Sequence, residues 1–418
     1  MSIDATSSDR GAGDDDRPAL RANLRRAERR RKLKAYALIA PLFLFLLAFF
    51  LGPIGSVLYF SIANPEVSTL LPRVTAALRD WDGQALPDEA AFAALAEDLR
   101  TGYADKTLPK VALRLNYEVG GFRSLLMRTG RTAARMEAPY TVALTARDER
   151  WGDLVYWRTL KGNGSAFTLH YLLQAVDLDL QWDGSIQRAP PEKRLYLDNL
   201  RRTLWIAFVV TLTCVLLGYP VAYLIANAEP RWAKLLILLI LLPFWTSLLV
   251  RTAAWVIVLQ KAGVVNDALL ALGLIDEPLT LIFNRTGVYI AMVHILLPFM
   301  VLPLYSVMRG IPPEHMRAAS SLGARPWAAF FSIYLPQTMP GLSAGCLLVY
   351  VIGLGFYITP ALIGGGSDQM LSYLIAEFAT NTANWGLAAA LAMLLLLCIA
   401  VLYPLYQRFA GAGGMRLG

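Results

Sequence analysis

Charge is scarce in this chain. Of its 418 residues only 17% are Asp, Glu, Lys or Arg, against 56% hydrophobic, and the mean hydropathy is +0.46. Length alone would suggest two or three soluble domains, but this balance excludes them and leaves a polytopic membrane protein. Cysteine is scarcer still. Cys214, Cys346 and Cys398 all fall inside apolar runs, so none can staple an exported loop, and no CxxC or Cys/His spacing exists. His170, His294 and His315 lie far apart in sequence, which gives a metal site little support. No GxxxxGK[ST] occurs, so the chain has no phosphate-cradling loop, and Gly364-Gly365-Gly366 is too loose a signal to replace one. Acid is missing from the interior of every long apolar run. The net charge of +8 would fit nucleic acid, but the basic residues stand beside the apolar runs, as the positive-inside rule requires.

What is present divides the chain by composition. Residues 1–34 form a cytoplasmic N-terminus, polar and disordered to about Asp16, then strongly basic from Arg21 to Lys34. The basic run reads as an anchor that orients the first span rather than as a lipid or nucleic-acid site. That span covers 35–62; it is too long and too broken by Pro41 and Pro53 for a cleaved signal peptide. Residues 63–198 then form a large periplasmic insertion. Phe92, Leu95 and Leu99 repeat at helical spacing, as do Val111, Leu115 and Val119, so the insertion is expected to be mostly helical, with looser structure after Pro139. Trp151, Trp157 and Trp182 are assigned to its core rather than to a sugar or cation, and Asp177, Asp179 and Asp183 to a solvated face.

Residues 199–408 carry five further spans, at about 203–226, 233–259, 287–308, 341–360 and 387–408, with a basic tail at 409–418. The expectation is an all-α, six-span protein in a bacterial inner membrane with both termini cytoplasmic. Arg201 and Arg202 stand at an outer edge, against the charge rule. Arg251 lies deep in an apolar run, where a charge is paired, faces a wet path, or snorkels to the interface. His294 is assigned to helix packing. The stretch 261–285 contains AGVVNDALLALGLI, read as a helix lying at the membrane surface. Gly341, Gly345, Gly353 and Gly355 permit close helix approach, and Gly353-Leu354-Gly355 also marks a hinge or bend. No internal repeat is evident.

One mixed stretch, 309–340, lies between two spans and is punctuated densely: RGIPPEHMRAASSLGARPWAAFFSIYLPQTMP. Pro312 and Pro313 suit a helix start, with Glu314 in the first turn. Gly323 is a stop that accepts left-handed angles. Pro326 opens a second helix through Trp327, Phe330, Phe331 and Tyr334, which Pro336 should end. The expected product is a helix–turn–helix knuckle that protrudes into the cytoplasm and suits docking on another protein.

Here the residues resemble a known family. Ala318-Ala319, Gly323 and Ile333-x-Leu335-Pro336 match in spacing the "EAA loop" of ABC importer permeases, where this loop is the coupling helix seated in a groove of the cytoplasmic ATPase. Arg317 stands where that family usually carries Glu, and Glu314, three residues earlier on the same helical face, is the candidate substitute. LLPFWTSLLVRTAAW, GVVNDALLALGLI, LLPFMVLPLY, YITPALIGG and NWGLAAAL extend the likeness over about Leu195 to Tyr406, to permeases of spermidine/putrescine-type importers. The resemblance implies a core of about five helices plus an N-terminal one, and a second permease that is a different chain rather than a copy. It also implies a cytoplasmic ATPase pair and a periplasmic solute-binding protein. It implies no enzyme activity and no cofactor in this chain, ATP being used by the partner, and alternating access driven through the knuckle. A polyamine path should carry carboxylates or aromatics. The spans hold no acid, so Trp245, Trp255, Tyr350, Phe356 and Tyr357, with Arg251, are the candidate path; an amino-acid-like solute fits as well. A membrane-anchored sensor or scaffold whose external domain binds a ligand, and a passive channel, are the other classes; neither needs the cytoplasmic knuckle.

Overall fold

In a computed structural model the backbone is described over residues 17–411 and side chains over 28–404 and 406. The disorder expected of residues 1–16, and most of the tail expected at 409–418, lie outside the described residues. The chain forms two compact units, one ending at Leu58 and one beginning at Tyr59.

The first unit is a long helix, Arg17–Leu46, basic in its first half and apolar from Ala35 on, continued by a widened turn over Leu47–Leu51. Gly52 donates its N–H to the Leu47 carbonyl, five residues back rather than four. The reason sits at the next residue. Pro53 has no N–H and its ring would clash with the carbonyl four residues earlier, so the turn before it opens by one residue. None of the described side chains of this unit is buried, which suits a helix in lipid.

The second unit begins with the insertion. Its helices include Glu89–Ala104, Leu108–Asn116, Phe122–Gly130, Tyr140–Arg147 and Leu154–Gly162. They close over a core of Phe92, Leu95, Leu99, Val111, Leu115, Trp151 and Trp157. Both buried indoles are satisfied: Trp151 Nε1 donates to Thr129 Oγ1 at 3.0 Å and Trp157 Nε1 to the Trp151 carbonyl at 2.8 Å. The chain is not loose after Pro139: two of these helices follow it, and then a short antiparallel hairpin pairs Leu178–Leu180 with Ile186–Arg188. Trp182 is only half-buried. It stands against Gly83 with the Arg158 guanidinium 4.9 Å from its ring centre, outside the core proper. The aspartates shape turns rather than a solvated patch alone: Asp177 accepts from the N–H groups of Tyr196 and Leu197, and Asp183 from that of Ser185.

The insertion leaves and rejoins the chain at one place. Ala63 pairs with Phe167, and the Asn64 side-chain amide donates to the carbonyls of Asn163 and Ser165 at 3.1 and 3.3 Å.

The bundle is built on three long helices: Tyr196–Asn227, Arg285–Arg309 and Leu335–Leu354. The last two approach closely because Gly345 carries no side chain; a Cβ there would lie 2.7 Å from Met300 Sδ. The helix Trp385–Gly411 packs beside them with Leu371–Thr380. The expected third span is not continuous. Pro230–Trp245 and Leu248–Val258 meet at a 98° bend, where Thr246 is extended after the Leu242–Trp245 turn. Ser247 starts the second half, its hydroxyl accepting from the Val250 N–H at 3.2 Å. The fifth span also differs from expectation. Pro336 does not end a helix: Pro326–Leu354 is one run of 29 residues that stops at Gly355, the expected hinge. Among the described residues five helices are long and apolar enough to cross a membrane, six if the bent pair is one span, so the fold is an all-α polytopic membrane protein. The stretch expected at the surface folds as the helix Val264–Ala271, stitched to Leu279 through the buried Asn266 amide.

Candidate functional site

The knuckle begins where the fourth span ends. Pro313 caps the helix Glu314–Ser321, and the chain reverses at Gly323 with φ +82°. The reversal is fully bonded: the Gly323 N–H reaches the Ser320 carbonyl and the Ala324 N–H the Ala319 carbonyl, both at 3.0 Å. A Cβ on Gly323 would meet nothing, so what requires glycine is the left-handed angle alone. Pro326 opens Pro326–Ala329, and a second widened turn, Phe330–Tyr334, delivers the chain into the fifth span. Leu335 donates to the Phe330 carbonyl five residues back, immediately before Pro336, as Gly52 does before Pro53.

One face of the knuckle is anchored. Ala319, Ala329 and Tyr334 are buried. The Phe330 and Tyr334 rings meet Tyr223 edge-on at 6.0 and 5.4 Å, and the Tyr219 hydroxyl is 3.1 Å from Thr338 Oγ1. His315 Nδ1 lies 2.8 Å from Gln337 Oε1, tying the first knuckle helix to the fifth span. The opposite face is open. Leu322 is 89% exposed and Trp327 76%, and Phe331, Glu314, Arg317 and Ala318 share that exposure. The side chains of Glu314 and Arg317 make no hydrogen bond or ion pair among the described residues. Of the remaining motif residues, Ile333 and Leu335 are half-buried and Pro336 is exposed.

The candidate path residues separate into groups. Arg251 and Trp255, one turn apart on Leu248–Val258, sit with His294 of the fourth span. Trp255 Nε1 donates to His294 Nδ1 at 3.1 Å, and Arg251 Nε is shielded with no partner among the described residues. Trp245 is exposed at the bend. Tyr350 packs elsewhere, beside Leu204 and Leu354, and Phe356 and Tyr357 follow the end of the fifth span. Tyr219 and Tyr223, which complete an aromatic wedge with Phe330 and Tyr334, escaped sequence reading. Its only signal is the four-residue spacing on each of two helices.

The geometry is that of a helical bundle of membrane-spanning length with an exposed, apolar-tipped knuckle between two of its spans. Residues 203–411 match the family described as binding-protein-dependent transport system inner membrane component. The spermidine/putrescine transport system permease protein PotB of Escherichia coli K12 is 37% identical over 214 residues, covering 51% of this chain and 78% of that protein. PotB of Haemophilus influenzae is 34% identical, covering 51% and 75%. The inner membrane ABC transporter permease protein YdcU of E. coli K12 is 31% identical over 229 residues, covering 51% and 72%. A solved bacterial ABC transporter involved in import of the acidic polysaccharide alginate aligns with a TM-score of 0.46 at 16% identity, over 53% of this chain and 80% of that one. The chain belongs to the binding-protein-dependent inner membrane component family, as a multi-pass permease subunit of an ABC importer. It is not itself the catalytic subunit. The family match begins at residue 203, after the insertion.

Proposed function

We propose that this permease passes a small organic solute, a polyamine or an amino-acid-like molecule, from a periplasmic binding protein to the cytoplasm by alternating access. It pairs with a second, different permease chain, and a cytoplasmic ATPase pair grips the knuckle. ATP is consumed there and this chain carries no cofactor. The coupling loop comprises Glu314, Arg317, Ala318, Ala319, Gly323, Ile333, Leu335 and Pro336, with Ala319 buried beneath the face that the partner meets.

The observation that carries this reading is the split character of the knuckle. Its inner face is welded to the second and fifth spans by Tyr223, Phe330, Tyr334 and the His315–Gln337 contact. Its outer face leaves Leu322 and the stacked pair of Trp327 and Phe331 exposed. Large apolar side chains held out on a rigid mount are a docking surface, since exposure otherwise costs solubility for nothing. A push on such a mount reaches the bundle as rigid-body motion, because the mount has no loose joint of its own. Polyamine cargo follows the names of the PotB relatives, and the aromatics Trp245, Trp255, Tyr350, Phe356 and Tyr357 supply the π faces it would use.

The test is Gly323→Pro in the assembled importer. Proline holds φ near −65° and cannot adopt +82°, so the reversal is lost while the spans are untouched. Uptake of spermidine into membrane vesicles should fall at least about tenfold, the effect of some 1.4 kcal/mol on coupling, with unchanged amounts of chain in the membrane. Undiminished uptake at equal abundance would remove the coupling role.

A further inference from the structure

We propose that a cavity between the insertion and the start of the sixth span binds an organic ammonium ion. The cavity holds about 710 Å³ and is walled on one side by the insertion and on the other by Ala383–Gly386. That size is ordinary for a small-molecule site. Its lining is mostly apolar and aromatic: Tyr59, Phe60, Tyr117, Tyr171 and Trp385 all face it. One carboxylate joins them, and it is unsatisfied. Glu66 Oε2 is shielded from solvent and has no hydrogen-bond partner among the described residues.

The cations nearby do not fill that gap. Arg114 is engaged at all three nitrogens: Nε donates to Asn64 Oδ1 at 2.9 Å, one Nη to Glu118 Oε1 at 2.6 Å and the other to Asn163 Oδ1 at 2.7 Å, and none of these bonds goes to Glu66. Its face lies 5.0 Å from the centre of the Tyr171 ring. Glu118 answers Arg114 by direct contact, whereas Glu66 feels that charge only through space and keeps an oxygen with no donor. Lys110 is exposed at the cavity wall and makes no ion pair among the described residues. A shielded acceptor with no donor is costly, and the donor best suited to it is charged. An ammonium supplies N–H groups to Glu66 and a positive charge to the ring faces at once. An anion would meet the Glu66 carboxylate and leave its bare oxygen without a donor. A neutral diol would satisfy the oxygen but gain nothing from the rings.

The site also touches the bundle. The Tyr117 hydroxyl donates to the Thr382 carbonyl, two residues before Asn384 caps the sixth span. Gly386 lets the Tyr171 ring rest on that span; a Cβ there would stand 2.3 Å from the ring. A ligand in the cavity therefore contacts both the insertion and the outer end of a span. On the proposed function, which places uptake at this end, the cavity is a cation-selecting vestibule supplied by a segment outside the family match.

The experiment uses the full chain in lipid nanodiscs with no binding protein and no nucleotide, titrated with 1,4-diaminobutane. Tryptophan fluorescence and calorimetry report binding, with 1,4-butanediol and succinate as the uncharged and anionic counterparts. The chain should bind the diamine and not the diol or succinate. Glu66→Gln should weaken the diamine at least about tenfold, the usual scale for losing a charge-assisted contact. Trp385→Leu should weaken it less, and Lys110→Ala should leave it equal or tighter. Diamine affinity unchanged in Glu66→Gln, or equal binding of the diol, overturns the proposal; so does succinate binding that Lys110→Ala abolishes. The measurement involves neither uptake nor ATP. A failed coupling test at Gly323 leaves it standing, and absence of binding here leaves the coupling reading intact.

Discussion

Arg114 and Glu118 show how a single pair organises the insertion. Arg114 is 6% exposed and Glu118 19%, and His170 Nε2 lies 3.2 Å from the same Glu118 oxygen that Arg114 holds. Burial alone would push the Glu118 carboxyl up. The hydrogen bonds and charge from His170 and Arg114 overcome it and hold the group down at about 2, from an ordinary 4.5. Because the folded value lies below the unfolded one, this carboxylate stabilises the insertion above about pH 4.5 and loses that contribution as pH falls toward 2. The amount is on the order of 2–3 kcal/mol. Glu118→Gln should therefore flatten the acid limb. Thermal unfolding of the purified chain followed from pH 7 down to pH 3 should drop less steeply in the variant than in the native protein; parallel curves would show that the pair carries no such linkage. Nothing along the sequence singled out this cluster. Arg114 draws on Asn64 and Asn163, about fifty residues away on either side, and a polar network closed over such distances leaves no local pattern.

Elements were legible where one periodicity ran unbroken, and misread where proline acted on the turn before it. The five long helices, the knuckle and its Gly323 reversal all follow from apolar run length and from cap residues. Two proline effects did not. Pro243 and the Ser247 cap divide the third span, although Ala233 to Leu259 is apolar almost throughout. Hydropathy averages over such a break and cannot see it. Pro336 looked like a terminator, yet the helix absorbs it by widening Phe330–Tyr334, so the motif's second half is the start of the fifth span. A widened turn inserts one residue into the helix and so sets the angular position of everything before it. Pro336→Ala restores the missing N–H and permits regular bonding. The expected result is a stable, inserted protein whose Trp327 and Phe331 are turned relative to Tyr223 and Tyr334. Solute-stimulated ATP turnover of the assembled importer should drop severalfold, with stability to unfolding unchanged or raised by about 1 kcal/mol from the recovered hydrogen bond. Full stimulation in that variant would show that the widened turn has no part in coupling.

The molecule has two chemically distinct ends. Arg231, Lys234, Arg309, Arg317 and Arg325 gather at the knuckle end, where Arg309 reaches the Ala226 carbonyl. At the other end Arg201, Arg202 and Arg285 are answered by Asp198, Asp368 and the Gln369 carbonyl. Arg231 is paired with Glu229 at 2.9 Å; the positive-inside rule expects such a basic cluster at a cytoplasmic end, and the arginines at the other end have their own local partners. The insertion occupies the opposite end and is joined by a narrow neck. Ala63 and Phe167 pair directly, so the chain departs and returns within one strand spacing, and the insertion's own core is closed without any bundle residue. Such a neck is the geometry in which a segment can be removed without moving its ends. A reporter fused after Gly130 should therefore read as periplasmic and one after Ser321 as cytoplasmic. Replacing 65–165 by a short Gly/Ser linker should leave the Ser321 reporter cytoplasmic and the truncated chain monodisperse in detergent. The bundle core of Ile206, Val210, Met292, Met300 and Val349 takes nothing from the excised residues, so its packing survives their loss. What should vanish with them is the Tyr117 bond to Thr382 and every wall of the ammonium cavity except Tyr59, Phe60, Ala63, Tyr171 and residues 383–386. A truncated chain that aggregates, or that turns its Ser321 reporter outward, would mean the insertion is a structural part of the bundle rather than a separate module set on its outer end.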